Sequence, residues 1–357
     1  MIEKRLAGLR AAMDSQQLDC LMVTQPNNIR YMSGFTSPDA VLLITAREAL
    51  IVTDSRYFEQ AEQQAPDFML IKITERMRTT LAEAVASLSA RRLGFESHAI
   101  TVELYNDYRA ALPPELEWVS VTNLVEGLRA SKDAAELETI VKAIAIADAT
   151  VEHLMGWLKP GVSELEIAWE VEVFMRTHGA KAMSFSPITA VGENGAMAHA
   201  VPGERRLQVG EMLVIDIGAQ YNGYCSDVTR SFCFGKADDT YLERWNLVLR
   251  AQQAAEAGLR AGMPGSEGDA LARDVIAQAG YGDWFGHGLG HGVGLEIHED
   301  PRLSRLATNP LPEGSVVTVE PGIYQAGWGG IRIEDCVFIT PNGCQVLTKA
   351  PKVAVIG

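Results

Sequence analysis

Short apolar runs set the rhythm of the first 125 or so residues. LDCLMVT, VLLIT, ALIVTD, FMLIKI, LGFE and LEWVSV are β-branched or aromatic and bounded by polar turns, which predicts six strands. Residues 54–64, 77–90 and 101–112 carry helical periodicity between them, and Pro113-Pro114 breaks the pattern near its end. Strands alternating with helices in this way predict an α/β domain over residues 1–125.

Within NLVEGLRASKDAAELETI the pattern changes to one long helical stretch, which places a second domain over residues 126–357. Ser131 and Asp133 are both available as its N-cap, and Glu136 follows Asp133 by three residues, as in a capping box. The stretch runs to about Leu158 and stops at Lys159-Pro160-Gly161. Ser163 and Glu166 then open another helix that ends near Gly179.

The second domain contains a degenerate repeat. Leu207, Gly210 and the strand ending on Asp216 recur as Leu311, Gly314 and the strand ending on Glu320, all displaced by 104 residues. Pro160-Gly161 and Pro264-Gly265 keep the same displacement, each closing one helical pattern and opening another. Two copies of a helix–helix–hairpin unit related by a pseudo-two-fold axis are expected, giving an α+β domain.

Composition narrows the class. Apolar residues make up 47% and charged residues 22% of the 357, the balance of a globular chain. Lys and Arg number 31 against 46 acids, a formal charge of −15, with no Lys/Arg run longer than two. That excludes the basic stripe a nucleic acid or an anionic membrane requires. No stretch reads as a signal peptide or a spanning helix. The five cysteines form no CxxC pair and suit a reducing, cytoplasmic compartment.

The chemistry lies in the hairpins. In VIDIGAQYNGYCSDVTRSF, Asp216 and Asp227 stand almost equidistant from the Asn222-Gly223 turn, and in VTVEPGIYQAGWGGIRIED Glu320 and Glu334 flank a turn through residues 327–330. Opposed residues on a hairpin lie ~4.5–5.5 Å apart at Cβ, so each hairpin is expected to set two carboxylates side by side. Four acids converging on apolar strands need shared protons or bound cations, and two divalent ions neutralise them better. GHGLGHGVGLEIHED supplies His287, His291 and His298, its alternate glycines admitting close approach to a ligand. His199, ahead of the first hairpin, occupies a loosely comparable place in the first copy. His98, His153 and His178 lie on helical or linker segments and read as structural.

Asp216, Asp227, His291, Glu320 and Glu334, in DIGAQYNGYCSDVTRSF, HGLGHGVGLEIHEDP, EPGIY and GGIRIED, resemble the dinuclear metal site of the pita-bread metallopeptidases. The likeness covers nearly the whole chain and is strongest to the proline-specific branch, aminopeptidase P and prolidase, which carries a similar amino-terminal domain. The resemblance implies that those five residues hold two divalent ions, with Asp227 and Glu334 bridging. Oxygen donors with one imidazole favour Mn²⁺, with Co²⁺ or Zn²⁺ able to substitute. It further implies that Glu320 accepts a proton from the attacking water, that His298 stabilises the oxyanion and that His199 positions substrate. His287, Tyr324 and Arg332 are expected around the pocket, and Arg302 resembles a prolidase arginine suited to a free carboxylate.

The implied activity is a metal-dependent Xaa-Pro aminopeptidase acting on short peptides with proline second, in a cytoplasmic homodimer. The alternative is a strict Xaa-Pro dipeptidase. A non-catalytic module of the same fold and a creatinase-like C–N hydrolase agree less well with a full ligand set, and methionine aminopeptidase activity less well with the extra domain.

Overall fold

The structure is a computed structural model describing residues 1–357. The chain forms two compact units, Met1–Arg129 and Ala130–Gly357. The expected boundary at 125/126 would cut the helix Leu124–Arg129. That helix is bonded within the first unit, with Tyr31 donating to the Leu128 carbonyl at 3.2 Å and Arg129 to Asn28 Oδ1 at 2.8 Å.

In the first unit all six expected strands form one mixed sheet. Their order is Met69–Lys72, Ala49–Thr53, Ala40–Thr45, Cys20–Val23, Arg92–Glu96 and Glu117–Val121. The two central strands are buried at every position, which is why they read as unbroken apolar runs rather than alternating ones. The helix expected from residue 54 starts only at Phe58. Asp54 Oδ1 accepts from the Arg56 backbone N–H at 3.0 Å and from its Nε at 2.9 Å, and this local turn displaces the first helical turn.

The second unit is built twice. Helices Ala134–Trp157 and Glu164–Thr177 precede a sheet ordered Val228–Phe234, Met212–Ile217, Ile188–Val191, with Val355–Ile356 added at one edge. Helices Asp239–Gly258 and Gly265–Gln278 precede a second sheet whose Asp335–Thr340, Val316–Val319 and Gly290–Gly292 are ordered in the same way. Each half closes its own core, the first around Leu154, Ile167, Ile215 and Phe232, the second around Val248, Ala272, Val317 and Val337. No helix is long and apolar enough to cross a membrane.

The helix caps show why the sequence signals worked. Asp133, not Ser131, caps the long helix in a reciprocal box with Glu136, while Ser131 Oγ donates to the Glu313 carbonyl at 2.6 Å. Ser163 and Glu166 form the second box.

The repeat register needs one correction. Gly161 N–H donates to Leu207 O at 2.7 Å and Gly262 N–H to Leu311 O at 2.9 Å. Gly161 therefore corresponds to Gly262, 101 residues on, and not to Gly265. The helices Glu164–Thr177 and Gly265–Gln278 keep that 101-residue spacing at both ends, while the strands Met212–Ile217 and Val316–Val319 begin 104 apart. The Pro-Gly match was a coincidence of composition, since the shared requirement is a glycine at positive φ, 92° at Gly161 and 79° at Gly262.

Candidate metal centre

The first acid pair sits where its hairpin changes sheets. Met212–Ile217 pairs with Val228–Phe234 so that Asp216 faces Thr229 and Ile217 faces Val228. Beyond the bend, Ala219–Tyr221 pairs with Tyr224–Cys225. Continuing the register sets Asp227 opposite Gly218. Asp216 and Asp227 are thus diagonal neighbours on one face and not the opposed pair expected from their distances to the turn. In the second hairpin Val319 faces Asp335 and Gly322 faces Arg332, so Glu320 and Glu334 do oppose each other in the gap between two ladders. The hairpins meet directly, Glu334 N–H donating to Thr229 O at 3.1 Å.

His291 enters from the strand Gly290–Gly292. Its backbone N–H donates to Thr318 Oγ1 at 3.0 Å and its Nδ1 donates to the Gly292 carbonyl at 3.1 Å. Nε2 then faces the acids, 3.3 Å from Glu320 Oε1 and 3.6 Å from Asp227 Oδ2. The strand register makes Ala190 the counterpart of His291 in the first copy, since Gly292 faces Val317 as Val191 faces Leu213. The site is therefore asymmetric, and His199 is not a repeat equivalent but a cavity residue from the loop that follows. The alternate glycines also serve a different end from the expected one. A Cβ on Gly290 would lie 2.0 Å from Thr318 O, and one on Gly294 2.3 Å from Glu299 Oε1, so they admit neighbouring protein groups rather than a ligand.

Ligand atoms of Asp227, His291 and Glu334 all lie within 4.8 Å of one another, and all three residues are buried. Asp216 and Asp227 each keep one buried Oδ1 without a hydrogen-bond partner. Burial first, then the neighbouring carboxylates, push Asp227 and Glu334 well above the usual carboxylate range. Burial raises Asp216 as well, against the pull of Arg332. Burial also acts to raise Glu320, but the His291 hydrogen bond and charge outweigh it and hold the group at about 2. Among these four acids the guanidinium of Arg332 is the paired cation, with Nη2 2.6 Å from Asp216 Oδ2. Unpartnered oxygens, excess negative charge and one imidazole together fit a divalent cation.

Around the acids the side chains are held by one bonded chain. Gly288 O accepts from His287 Nδ1 at 2.7 Å, His287 Nε2 lies 3.0 Å from the Tyr324 hydroxyl, and that oxygen accepts from Arg332 Nη1 at 2.7 Å. Arg332 Nε donates to Thr229 Oγ1 at 3.0 Å, whose hydroxyl donates to Glu334 Oε2 at 2.5 Å. Thr229 was not singled out from the sequence, although its place two residues after Asp227 on one strand face was a usable signal. Asp269 and Arg273 were also missed, because an i,i+4 acid–base pair on a helix reads as solvated surface. Here the pair is buried: Arg273 donates to Phe285 O at 2.8 Å and His287 O at 2.6 Å, and Asp269 accepts from Leu289 N–H at 3.0 Å, which pins the His287 segment.

The acids line a cavity of about 650 Å³ whose walls include Phe185, Ile188, Val201, Ile297 and Leu303. His199, His298 and Arg302 reach it as well. The His298 ring stands nearly perpendicular to His291 with centroids 4.3 Å apart, and burial followed by the charge of His291 holds it down to about 4. Arg302 is exposed and directly opposite His291 in the ladder. The remaining histidines lie elsewhere. His153 contacts Glu170 at 2.6 Å, His178 stacks on Phe174 at 3.8 Å and His98 contacts Glu126 at 3.1 Å. Cys225 and Cys336 are buried thiols, and Cys336 donates to the Asp227 carbonyl at 3.3 Å.

Comparison with known proteins identifies the family. Residues 138–341 match the family description "Metallopeptidase family M24" and residues 5–131 match "Creatinase/Prolidase N-terminal domain". The chain is 36% identical to the Xaa-Pro dipeptidase of Pyrococcus furiosus over 98% of this chain and 99% of that one. The solved structure of an Xaa-Pro dipeptidase from Bacillus anthracis superimposes with a TM-score of 0.98 at 40% identity, covering 100% of both chains. That of an X-Pro aminopeptidase from Thermotoga maritima gives 0.90 at 34% identity, covering 95% of this chain and 98% of that one. With a family match over more than half its length and these relatives along nearly all of it, the chain belongs to metallopeptidase family M24.

Proposed function

We propose that the chain hydrolyses the bond between an N-terminal residue and a following proline in short peptides. Asp216, Asp227, His291, Glu320 and Glu334 would hold two divalent ions, Mn²⁺ foremost, with Asp227 and Glu334 as the ligands that would be common to both. The observation that carries this reading is the convergence of Asp227, His291 and Glu334 at a cavity with apolar walls. Oxygen donors with one imidazole favour Mn²⁺ over thiolate-seeking ions. When bound, such ions supply Lewis acidity to a carbonyl and lower the pKa of a water.

The chain's own groups do the rest. Glu320, held at about 2, is ionised at neutral pH, and its place among the acids at the cavity, rather than its basicity, supports reading it as the group that takes the proton of the attacking water. His298, held at about 4, is neutral there and offers a ring N–H to the developing oxyanion. His199 lies on the same cavity and is read as a substrate-positioning group. Proline suits the apolar wall, and its tertiary nitrogen lacks the N–H that general peptidases use. Relatives named Xaa-Pro dipeptidase and X-Pro aminopeptidase support the substrate class. Free cysteines, four of the five buried, support a reducing compartment, and a homodimer follows from the family likeness.

A second reading, strict dipeptidase, is favoured by Arg302, an exposed guanidinium at the cavity able to receive the carboxylate of a C-terminal proline. The test is mass spectrometry of Ala-Pro and Ala-Pro-Ala incubated with chelator-stripped protein, with and without Mn²⁺. Mn²⁺-dependent release of alanine from both is expected. Release from Ala-Pro alone selects the dipeptidase, and release from neither overturns the proposal.

A further inference from the structure

Outside the acid cluster, the second unit buries a lysine. Lys132 Nζ lies 2.7 Å from Glu299 Oε1, with the two side chains only 1% and 4% exposed. Taking two charges out of water is costly, and removing one partner strands the other.

Both ends of the pair are anchored beside the site. Lys132 N–H donates to Gly314 O at 2.8 Å, two residues before the strand Val316–Val319 that leads to Glu320. Glu299 opens the strand Glu299–Leu303 directly after His298, and its carboxylate occupies the space over Gly294, where any Cβ would collide with it at 2.3 Å. Gly294 in turn accepts from Cys225 N–H at 2.8 Å, two residues before Asp227. The ladder shifts register here, His291 facing Arg302 but Gly292 facing Glu299, so regular pairing alone does not fix the 293–298 loop. The Glu299 carboxylate packs against Gly294 within it.

We infer that Lys132 and Glu299 are positioning residues that hold the 293–298 loop so that His298 stays over His291 at the cavity. The inference rests on the role proposed above for His298. Lys132 touches no residue of the acid cluster in this arrangement and acts through Glu299. A displacement of the imidazole by about 1 Å is enough to cost a large part of its contribution.

The test compares the full-length Mn²⁺-loaded protein with Lys132→Met, Glu299→Gln, His298→Ala and the two combinations with His298→Ala, using Ala-Pro and Ala-Pro-Ala. Mn²⁺ affinity is measured by calorimetry. In Lys132→Met and Glu299→Gln, kcat is expected to fall roughly 10- to 100-fold with KM and Mn²⁺ affinity little changed. In the His298→Ala background the same substitutions are expected to cost less than about twofold, because the group they position is gone. Equal losses in both backgrounds overturn the positioning role, and so does loss of Mn²⁺ binding in Glu299→Gln. If Lys132→Met does not fold, Glu299→Gln decides alone, since it fills the same space but lacks the charge that fixes the ammonium. A His298→Ala enzyme as active as the parent overturns the reading of His298 itself, which distinguishes that failure from failure of the pair.

Discussion

Arg302 faces the cavity from the strand opposite His291, while Arg332 is buried and bonded on all sides. The same side chain does different work in the two places. Arg332 offsets part of the negative charge of four acids and orders Tyr324 and Thr229, so its loss would disturb the whole cluster. Arg302 spends no hydrogen bonds on the protein's acids and is available to a ligand. Arg302→Ala is therefore expected to raise KM for Ala-Pro roughly 10- to 100-fold, the worth of a charge-assisted hydrogen bond. KM for Ala-Pro-Ala is expected to stay within about twofold, because its proline has no free carboxylate. Steady-state kinetics on the two peptides checks this, and equal effects on both would remove Arg302 from carboxylate recognition.

At the scale of elements, the first hairpin depends on a kink at Gly218. A Cβ there would lie 2.1 Å from the Ser226 carbonyl and 2.9 Å from Phe185 and Ser184. Ser226 holds the other side of the bend, its N–H bonded to Ala219 O at 2.9 Å and its Oγ accepting from Ala219 N–H at 3.0 Å. Asp227 follows immediately. Gly218→Ala is expected to destabilise the unit by roughly 2–4 kcal/mol through overpacking against backbone. It should also weaken Mn²⁺ binding measured by calorimetry, since the kink sets the position of Asp227. Gly156→Ala is the control: Gly156 lies in the last turn of the helix Ala134–Trp157 with nothing within 4 Å of an added Cβ, and a stability gain of roughly 0.4–1 kcal/mol is expected.

For the molecule as a whole, the acid cluster makes stability depend on pH and on metal together. Asp227 and Glu334 are raised in the metal-free fold, so the stability linked to their protonation is full below about pH 4 and is lost as pH climbs through their raised values. Glu320, held at about 2, works in the opposite sense, but its contribution is lost only as pH falls from about 4.5 towards that value and does not offset the loss at higher pH. Chelator-stripped protein is therefore expected to become less stable as pH rises from about 4 through neutrality. Added Mn²⁺ should recover more at the upper end, about 2.7 kcal/mol at 100 times its dissociation constant. Thermal unfolding across that range with EDTA or Mn²⁺ checks both, and Asp227→Asn should flatten the metal-free profile.

The sequence by itself determined the six strands of the first sheet, the two capping boxes, the existence of the repeat and the acids and histidines of the candidate site. Those features are local or periodic: an apolar run, an N-cap with its Glu three residues on, a carboxylate ending an apolar strand. Tertiary structure decided what depends on pairing across the chain. The register that makes Asp216 and Asp227 diagonal, the 101-residue spacing of the helices and the Ala190 counterpart of His291 follow from strand ladders and loop lengths that spacing along the chain does not encode. Arg273 and Lys132 likewise owe their roles to burial, and Thr229 differs only in sharing a strand face with Asp227. Each is an ordinary polar residue until folding buries it, and desolvation then turns a common side chain into one that must have a partner.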